Sequence, residues 1–406
     1  MRICFVSRRF FPAISGMSIY AINLLRQLVA QGHDVTMVSQ FYGDPERAKV
    51  YGGGPPPPVE GVRVIGLEAL GEQASGEFER DVDAMIETIA AEHARAPFDV
   101  LHAQYGYPTG WATLLAAQRL GVPCVVSIQG GDGHWVGSCC DTHRIAMERV
   151  LDHAGALLIG GESFAQEVHD RLGTPLERFT IVPGAVDTDR FTPPEYTDTR
   201  RDDGVTRFFY HGRVDRRKGV LDLLHALPGV AGKWHCTISG IGPDVDAAHA
   251  LAAELDLGDR VSFTGYAEYD SVPERYRDHD VFVSPTYAEG FSNTILEAMA
   301  SGQAVLSCRA VGVTDCIRDG ENGLLVEPGD VPALTQALSR LVTDGALRER
   351  LAAAGLAECR RVYSWHAVGR QIAGIYEDLR GTAPATGMDP HIPITPCRFR
   401  AEPHLL

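Results

Sequence analysis

Short apolar runs alternate with amphipathic stretches along most of the chain. In the first half the runs fall at 2–7, 34–40, 62–67, 99–104, 123–129, 156–161 and 179–184, with helical patterns near 16–31, 79–96, 108–120, 141–153 and 162–172. The second half repeats the plan, with runs at 206–212, 235–242, 260–265, 281–286, 304–309 and 323–328. This alternation predicts parallel sheets covered by helices on both faces. Two such blocks predict an α/β chain of two doubly wound, Rossmann-like domains facing a central cleft.

The blocks part between Asp187 and Gly204, where Pro193-Pro194 and the charged run Arg200 to Asp203 carry no apolar period. The expected domains are therefore 1–190 and 200–361, with a last helix at 363–380. Val50 to Glu60, rich in Gly and Pro, reads as an exposed loop. Residues 381–406 carry prolines without a period, which predicts a poorly ordered tail.

Composition narrows the class. With 406 residues, 45% hydrophobic and 22% charged, the chain is globular and too long for one core. Its net charge of -16 argues against nucleic acid or an anionic membrane as partner. An anionic ligand would need a local basic cluster. The nine cysteines include no Cys-x-x-Cys pair and read as reduced thiols of a cytoplasmic protein. The first apolar run is too short for a signal peptide, and no run approaches a membrane span.

The most informative stretch is Glu289-Gly-Phe-Ser-Asn-Thr-Ile-Leu-Glu297, set between an apolar strand and a helix. The turn leaves backbone N–H groups from Phe291 through Ser292 and Asn293 to Thr294 at a helix start, which suits an anion. A carboxylate on either side suits a ligand bearing phosphate and hydroxyls. The plainer reading is a surface helix capped by Ser292. Arg213, Arg216, Arg217 and Lys218 form the densest basic cluster, after the strand 206–212. Cations disfavour a first helical turn, so a bound diphosphate would explain them. Ser239-Gly240-Ile-Gly242 resembles part of a nucleotide-binding turn. Tyr266 could flank a base, and Gly16 could admit a close backbone or ligand approach.

Two first-half strand ends, Gln104-Tyr105 and Gln129 through Asp132 to His134, combine amides, aromatics and a carboxylate suited to a polyhydroxylated acceptor. His102 lies within a strand pattern and reads as packing. Asp-x-Asp occurs at 187–189, 81–83, 244–246 and 278–280, and none stands where it would meet a diphosphate. No metal is expected there.

On these residues the chain resembles the retaining GT-B glycosyltransferases of family 4, the glycosyl transferases group 1. Glu289 to Glu297 is similar to that family's Glu-x7-Glu motif, and Gly212-Arg213 with Lys218-Gly219 to its phosphate-binding pair. Pro183 to Phe191, Gln31 to Val35, Asn322 to Val326 and Tyr363 to Leu379 fit its pattern as well. The resemblance implies an acceptor-binding first domain, a donor-binding second domain, and a last helix that crosses back to the first. It implies that Arg213 and Lys218 hold the donor diphosphate, Glu289 the donor sugar and Glu297 the ribose. Gly240, Tyr266 and the 291–294 backbone would line the donor, and Gly16 would meet it from the first domain.

Gln104 and Gln129 stand where the family often has His, and Met17 where a second Gly is usual. Gln cannot serve as acid or base but can exchange hydrogen bonds. The expected reaction is metal-independent front-face transfer from a nucleotide sugar, with no further cofactor. UDP-sugars are the default donor and GDP-sugars the other candidate. The acidic helix 79–96 would be repelled by an anionic membrane, so the expected acceptor is a small polar sugar, cyclitol or secondary-metabolite intermediate. The alternatives are an epimerase or phosphorylase on the same fold, a lipid- or polysaccharide-linked acceptor, and a non-catalytic nucleotide-sugar-binding partner.

Overall fold

The computed structural model describes residues 1–13, 15–43, 53–71, 77–129, 139–194 and 203–397. It contains two compact units, one of Met1–Pro183 with Val368–Leu406 and one of Gly184–Ala367. The start of the proline-rich stretch (50–52), part of the charged run (200–202) and residues 398–406 lie outside the described residues.

The first unit holds seven strands: β1 (Arg2–Ser7), β2 (Asp34–Phe41), β3 (Val62–Glu68), β4 (Val100–Gln104), β5 (Cys124–Ile128), β6 (Ala156–Ile159) and β7 (Phe179–Ile181). Their order is β3-β2-β1-β4-β5-β6-β7, and every ladder is parallel. Interior strands such as β4 and β5 are buried at every position. That is why they read as largely apolar runs, with the buried polar groups His102, Gln104 and Ser127 each hydrogen-bonded. Among the described residues the helices between these strands are α1 (Gly16–Ala30), α2 (Phe78–Arg95), α3 (Trp111–Leu120), α4 (Asp141–His153) and α5 (Glu162–Leu172).

The second unit holds β8 (Thr206–His211), β9 (Trp234–Ser239), β10 (Val261–Gly265), β11 (Val281–Ser284), β12 (Ala304–Cys308) and β13 (Leu324–Val326). Their order is β10-β9-β8-β11-β12-β13, again parallel throughout. Its helices are α6 (Val220–Ala226), α7 (Val245–Glu254), α8 (Val272–Arg277), α9 (Asn293–Ala300), α10 (Val331–Thr343) and α11 (Gly345–Val362). The order reverses between β8 and β11, and open α/β sheets bind ligands beyond the strand ends at such a switch point. The loops carrying Arg213, Lys218 and Glu289 leave from those two strands.

Two expectations are corrected. The units divide after Pro183, not near 190. Val186 N–H donates to Tyr363 O at 2.8 Å, and Phe191 packs edge-on against Tyr276, so both belong to the second core. The tail also takes a defined course as far as residue 397. After α12 (Trp365–Leu379), Ala385 O accepts from Gln118 Nε2, Met388 is buried and Thr395 bonds Thr142. Prolines break the helix there without freeing the chain from the first unit.

Candidate active site

The loop after β8 is built by backbone contact. Gly240, at φ 149°, presses its α-carbon so close to Gly212 that an added Cβ would lie 1.8 Å from Gly212 O. Gly242 is held as tightly, with Val214 O 2.2 Å from such a Cβ. The Ser239–Gly242 turn thus backs the Arg213 loop, and Val214 N–H donates to Ile241 O. Gly240, expected to line the donor, has a packing role here.

Residues Arg216–Lys218 form one 3-10 turn, capped by the Asp215 carboxylate, which accepts from Arg217 N–H. The basic cluster is partly neutralised. Arg216 forks onto Asp244 at 2.6 Å, and Arg217 pairs with Asp215 at 2.7 Å. The Arg217 hydrogen bond is the main reason Asp215 titrates down at about 2. Carboxylates, rather than a bound anion, therefore account for two of the four cations. Arg213 stands 3.6 Å from Asp215 and is exposed.

Gly219 then adopts φ 70°, and a Cβ there would lie 1.9 Å from Pro285 O. This contact seats the loop after β8 against the loop after β11. Tyr287 N–H donates to Arg217 O across the same seam. Lys218 Nζ consequently lies 2.6 Å from Glu289 Oε1 and 3.3 Å from Ala288 O. Glu289 is fixed from the other side, its N–H donating to Val311 O at 2.9 Å.

Ser292 precedes α9 but makes no side-chain cap; its hydroxyl faces Thr294 Oγ1 at 3.3 Å. The first N–H groups of α9 therefore keep their hydrogen-bonding capacity, as a helix start must without a cap. Asn293 Oδ1, buried at this end, has no hydrogen-bond partner among the described residues. The Phe291 ring is packed against Tyr363 and would meet a Cβ on Gly184 at 2.4 Å.

Glu297 accepts from the Tyr276 hydroxyl at 3.0 Å. Burial pushes its carboxyl up to about 7, against Tyr276 and Arg190, which both pull it down. Tyr276 sits in an aromatic nest of Phe209, His211 and Phe282. Sequence reasoning missed Tyr276 and Arg190, which lie 21 and 107 positions from Glu297 and carry no local motif. Tyr266 is exposed at the end of β10, after Gly265 at φ 63°.

In the first unit, Gly16 opens α1, and a Cβ there would meet nothing within 4 Å. Packing does not require a glycine at this position. Gln104 is fully buried: its amide donates to Met17 O and Gln129 Oε1, both at 3.1 Å, and its oxygen accepts from Ser7 Oγ at 2.9 Å. It ties the α1 entry to the end of β5 and presents no free edge to an acceptor. Tyr105 adopts φ 79°, rare for a residue with a side chain, and turns the chain out of β4. His102 is buried, bonded to Tyr376 and Ser127, and burial lowers it to about 3. Asp132 and His134 lie outside the described residues. Three Asp-x-Asp members have structural roles: Asp187 caps its own turn, Asp244 holds Arg216, and Asp280 accepts from Arg207 N–H.

Two family models match this chain: a glycosyl transferase 4-like domain over residues 15–185 and glycosyl transferases group 1 over 205–344. The chain belongs to the group 1 glycosyltransferases and has their GT-B pair of parallel-sheet domains; it is a sugar transferase by family. The D-inositol 3-phosphate glycosyltransferase of Stackebrandtia nassauensis is 29% identical over 398 residues, covering 89% of this chain and 86% of that protein. Sucrose-phosphate synthase from Thermosynechococcus elongatus superposes with a TM-score of 0.78 at 23% identity, covering 93% of this chain and 98% of that one. Anabaena HepE, solved with UDP and glucose, gives a TM-score of 0.73 at 16% identity, covering 92% and 99%. No helix among the described residues is long and apolar enough to cross a membrane.

Proposed function

We propose that the protein is a retaining hexosyltransferase. It moves a hexose or aminohexose from a nucleotide sugar to a hydroxyl of a small polar acceptor. The observation that carries this reading is the Lys218–Glu289 pair beside the uncapped start of α9, with Glu297 on the same helix. In the reaction the bond from the anomeric carbon to the diphosphate oxygen breaks, and the acceptor oxygen bonds that carbon on the same face. The acceptor proton passes to the leaving phosphate oxygen, so no protein base is consumed.

Arg213 and Lys218 stabilise the charge that gathers on the diphosphate, in place of a divalent ion. Glu289 orients the donor sugar, and Glu297 accepts from the ribose hydroxyls. Gln129, in the first unit, takes part in acceptor binding. A UDP-sugar is the first choice of donor and a GDP-sugar the second. The UDP and glucose bound by Anabaena HepE support that order. The name of the Stackebrandtia relative supports a cyclitol or sugar acceptor. Cys4, Cys124, Cys236, Cys308, Cys316 and Cys359 are buried thiols outside any disulfide, which suits the cytoplasm.

The test is a thermal-shift screen with UDP-, GDP-, ADP- and dTDP-sugars in magnesium- and manganese-free buffer, followed by NMR of the product's anomeric proton. One nucleotide class should stabilise the protein, Glu297→Ala should abolish the shift, and the anomeric configuration should be kept. Tight donor binding without turnover on cyclitols and sugars would favour a non-catalytic partner instead.

A further inference from the structure

Four side chains able to ligate a metal, none of them among the donor or acceptor residues named above, meet at the amino end of α4. His143 Nδ1 lies 2.8 Å from Cys139 Sγ, 3.4 Å from Cys140 Sγ and 3.7 Å from Cys397 Sγ. All four ligand atoms fall within 4.8 Å of one another. A tetrahedral zinc site with Zn–S near 2.3 Å and Zn–N near 2.0 Å needs ligand atoms about 3.5–3.8 Å apart, so only small shifts separate this cluster from that geometry.

The fold delivers these residues by contacts that do not depend on a metal. The His143 ring is buried and packs edge-on against Tyr107, 4.5 Å between centroids, and Phe78, 5.7 Å. Cys140 is the extended residue that precedes α4. The carboxy-terminal segment is fastened beside them by Thr142. Its hydroxyl accepts from Thr395 N–H and donates to Pro393 O, both at 2.7 Å, and its own N–H donates to Thr395 Oγ1. That pairing sets Cys397 over His143, 254 positions away in sequence. The other six cysteines are buried, whereas these three are half-exposed and share one imidazole.

We propose that Cys139, Cys140, His143 and Cys397 bind one zinc ion in a closed structural site that fastens the carboxy-terminal segment to α4. Four protein ligands fill a tetrahedral shell and leave no position for water or substrate, so the ion is structural. Binding displaces three thiol protons and uses the neutral imidazole through Nδ1; the shell of Zn²⁺ and three thiolates carries one negative charge. The absence of metal expected near the donor diphosphate concerns the other unit and is unaffected.

The test uses the untagged full-length protein, expressed with zinc in the medium and purified with a phosphine reductant. Elemental analysis should find about one zinc per chain, as one four-ligand site requires. Cobalt replacement should give a thiolate-to-metal charge-transfer band and tetrahedral d–d bands. Cys397→Ser, which alters only the tail, should at least halve the zinc content, weaken the cobalt bands and lower Tm. Three results would overturn the site: no zinc after incubation with equimolar zinc under reductant; undiminished zinc in Cys397→Ser; or a disulfide between Cys397 and Cys139 or Cys140 in protein alkylated at lysis.

Discussion

Lys218 Nζ lies 2.6 Å from Glu289 Oε1, joining the loop after β8 to the loop after β11. Both side chains keep partial contact with solvent, and such a pair contributes only about 0–1 kcal/mol to stability. A group that meets transferring phosphate, by contrast, commonly accounts for about 100- to 1000-fold in turnover. Lys218→Ala should therefore lower kcat by about that factor. Its Tm should move by only about 2–4 °C, the shift expected for 1 kcal/mol in a domain of this size. Steady-state kinetics beside calorimetry check this, and parallel losses of activity and Tm would contradict it.

Glu297 gives a pH signature. Its carboxyl has an ordinary value of 4.5 and is raised to about 7 in the folded chain, chiefly by burial. Between those values the folded state holds a proton that the unfolded state has released. The stabilisation is thus full below 4.5 and is lost as pH rises through about 7. Glu297→Gln keeps the Tyr276 contact without that titration, so its Tm should gain on the wild type from pH 5 to pH 8. The same variant should bind UDP more weakly, because an amide is a poorer acceptor for ribose hydroxyls than a carboxylate. A Tm difference that stays flat across this range would place the Glu297 carboxyl near its ordinary value.

How much of this was legible in the sequence follows the range of each interaction. The runs at 206–212 and 281–286 announced β8 and β11 because strands covered on both faces carry an apolar centre, Phe208 to Tyr210 in β8 and Val281 to Val283 in β11. Glu289 and Glu297 were legible because a strand, a turn and a helix are local. The partners that decide their chemistry were not. Tyr276 reaches Glu297 from another helix, and Asp244 neutralises Arg216 from 28 positions away. The cations of 216–217 therefore suggested a ligand where carboxylates suffice. The tail was misread for a similar reason: its hold on the first unit runs through Thr142, which no periodicity within 381–397 reveals.

Gly219 is a test of how the two loops are seated. Its φ of 70° disfavours any side chain, and a Cβ would fall 1.9 Å from the Pro285 carbonyl oxygen. The Pro285 oxygen belongs to backbone and a Cβ is fixed directly to its own α-carbon, so neither rotamer change nor a flexible side-chain end can relieve the clash. Gly219→Ala should cost about 2–4 kcal/mol from left-handed strain and overpacking together. Activity should fall even at temperatures where the protein stays folded, because Lys218 would move off Glu289. Denaturant unfolding and kinetics at 15 °C measure the two effects separately.

The Asn322-Gly-Leu-Leu-Val326 stretch, one of the family-like segments, has a structural role that can be tested. Asn322 is buried; its amide donates to Glu358 Oε2 at 2.6 Å and to Cys316 O, and its oxygen accepts from Arg318 N–H. Arg318 forks onto the same Glu358 carboxylate, at 2.6 and 2.7 Å. Burial alone would raise the Glu358 carboxyl, but the Arg318 and Asn322 hydrogen bonds outweigh it, and the group lies below its ordinary value. The stabilisation from this group is present above the unfolded value of 4.5 and is lost as pH falls through the depressed one. Glu358→Ala would leave the Asn322 amide buried with one bond fewer, and should cost about 1–3 kcal/mol at pH 7. The cost should shrink as pH falls below 4.5 and through the depressed value, because the wild type then loses the same interaction. Donor affinity should stay intact, since the Glu358 carboxylate bonds Arg318 and Asn322 and neither Glu289 nor Glu297. Thermal melts at pH 3, 5 and 7, with UDP titration of the folded variant, separate this role from one in ligand binding.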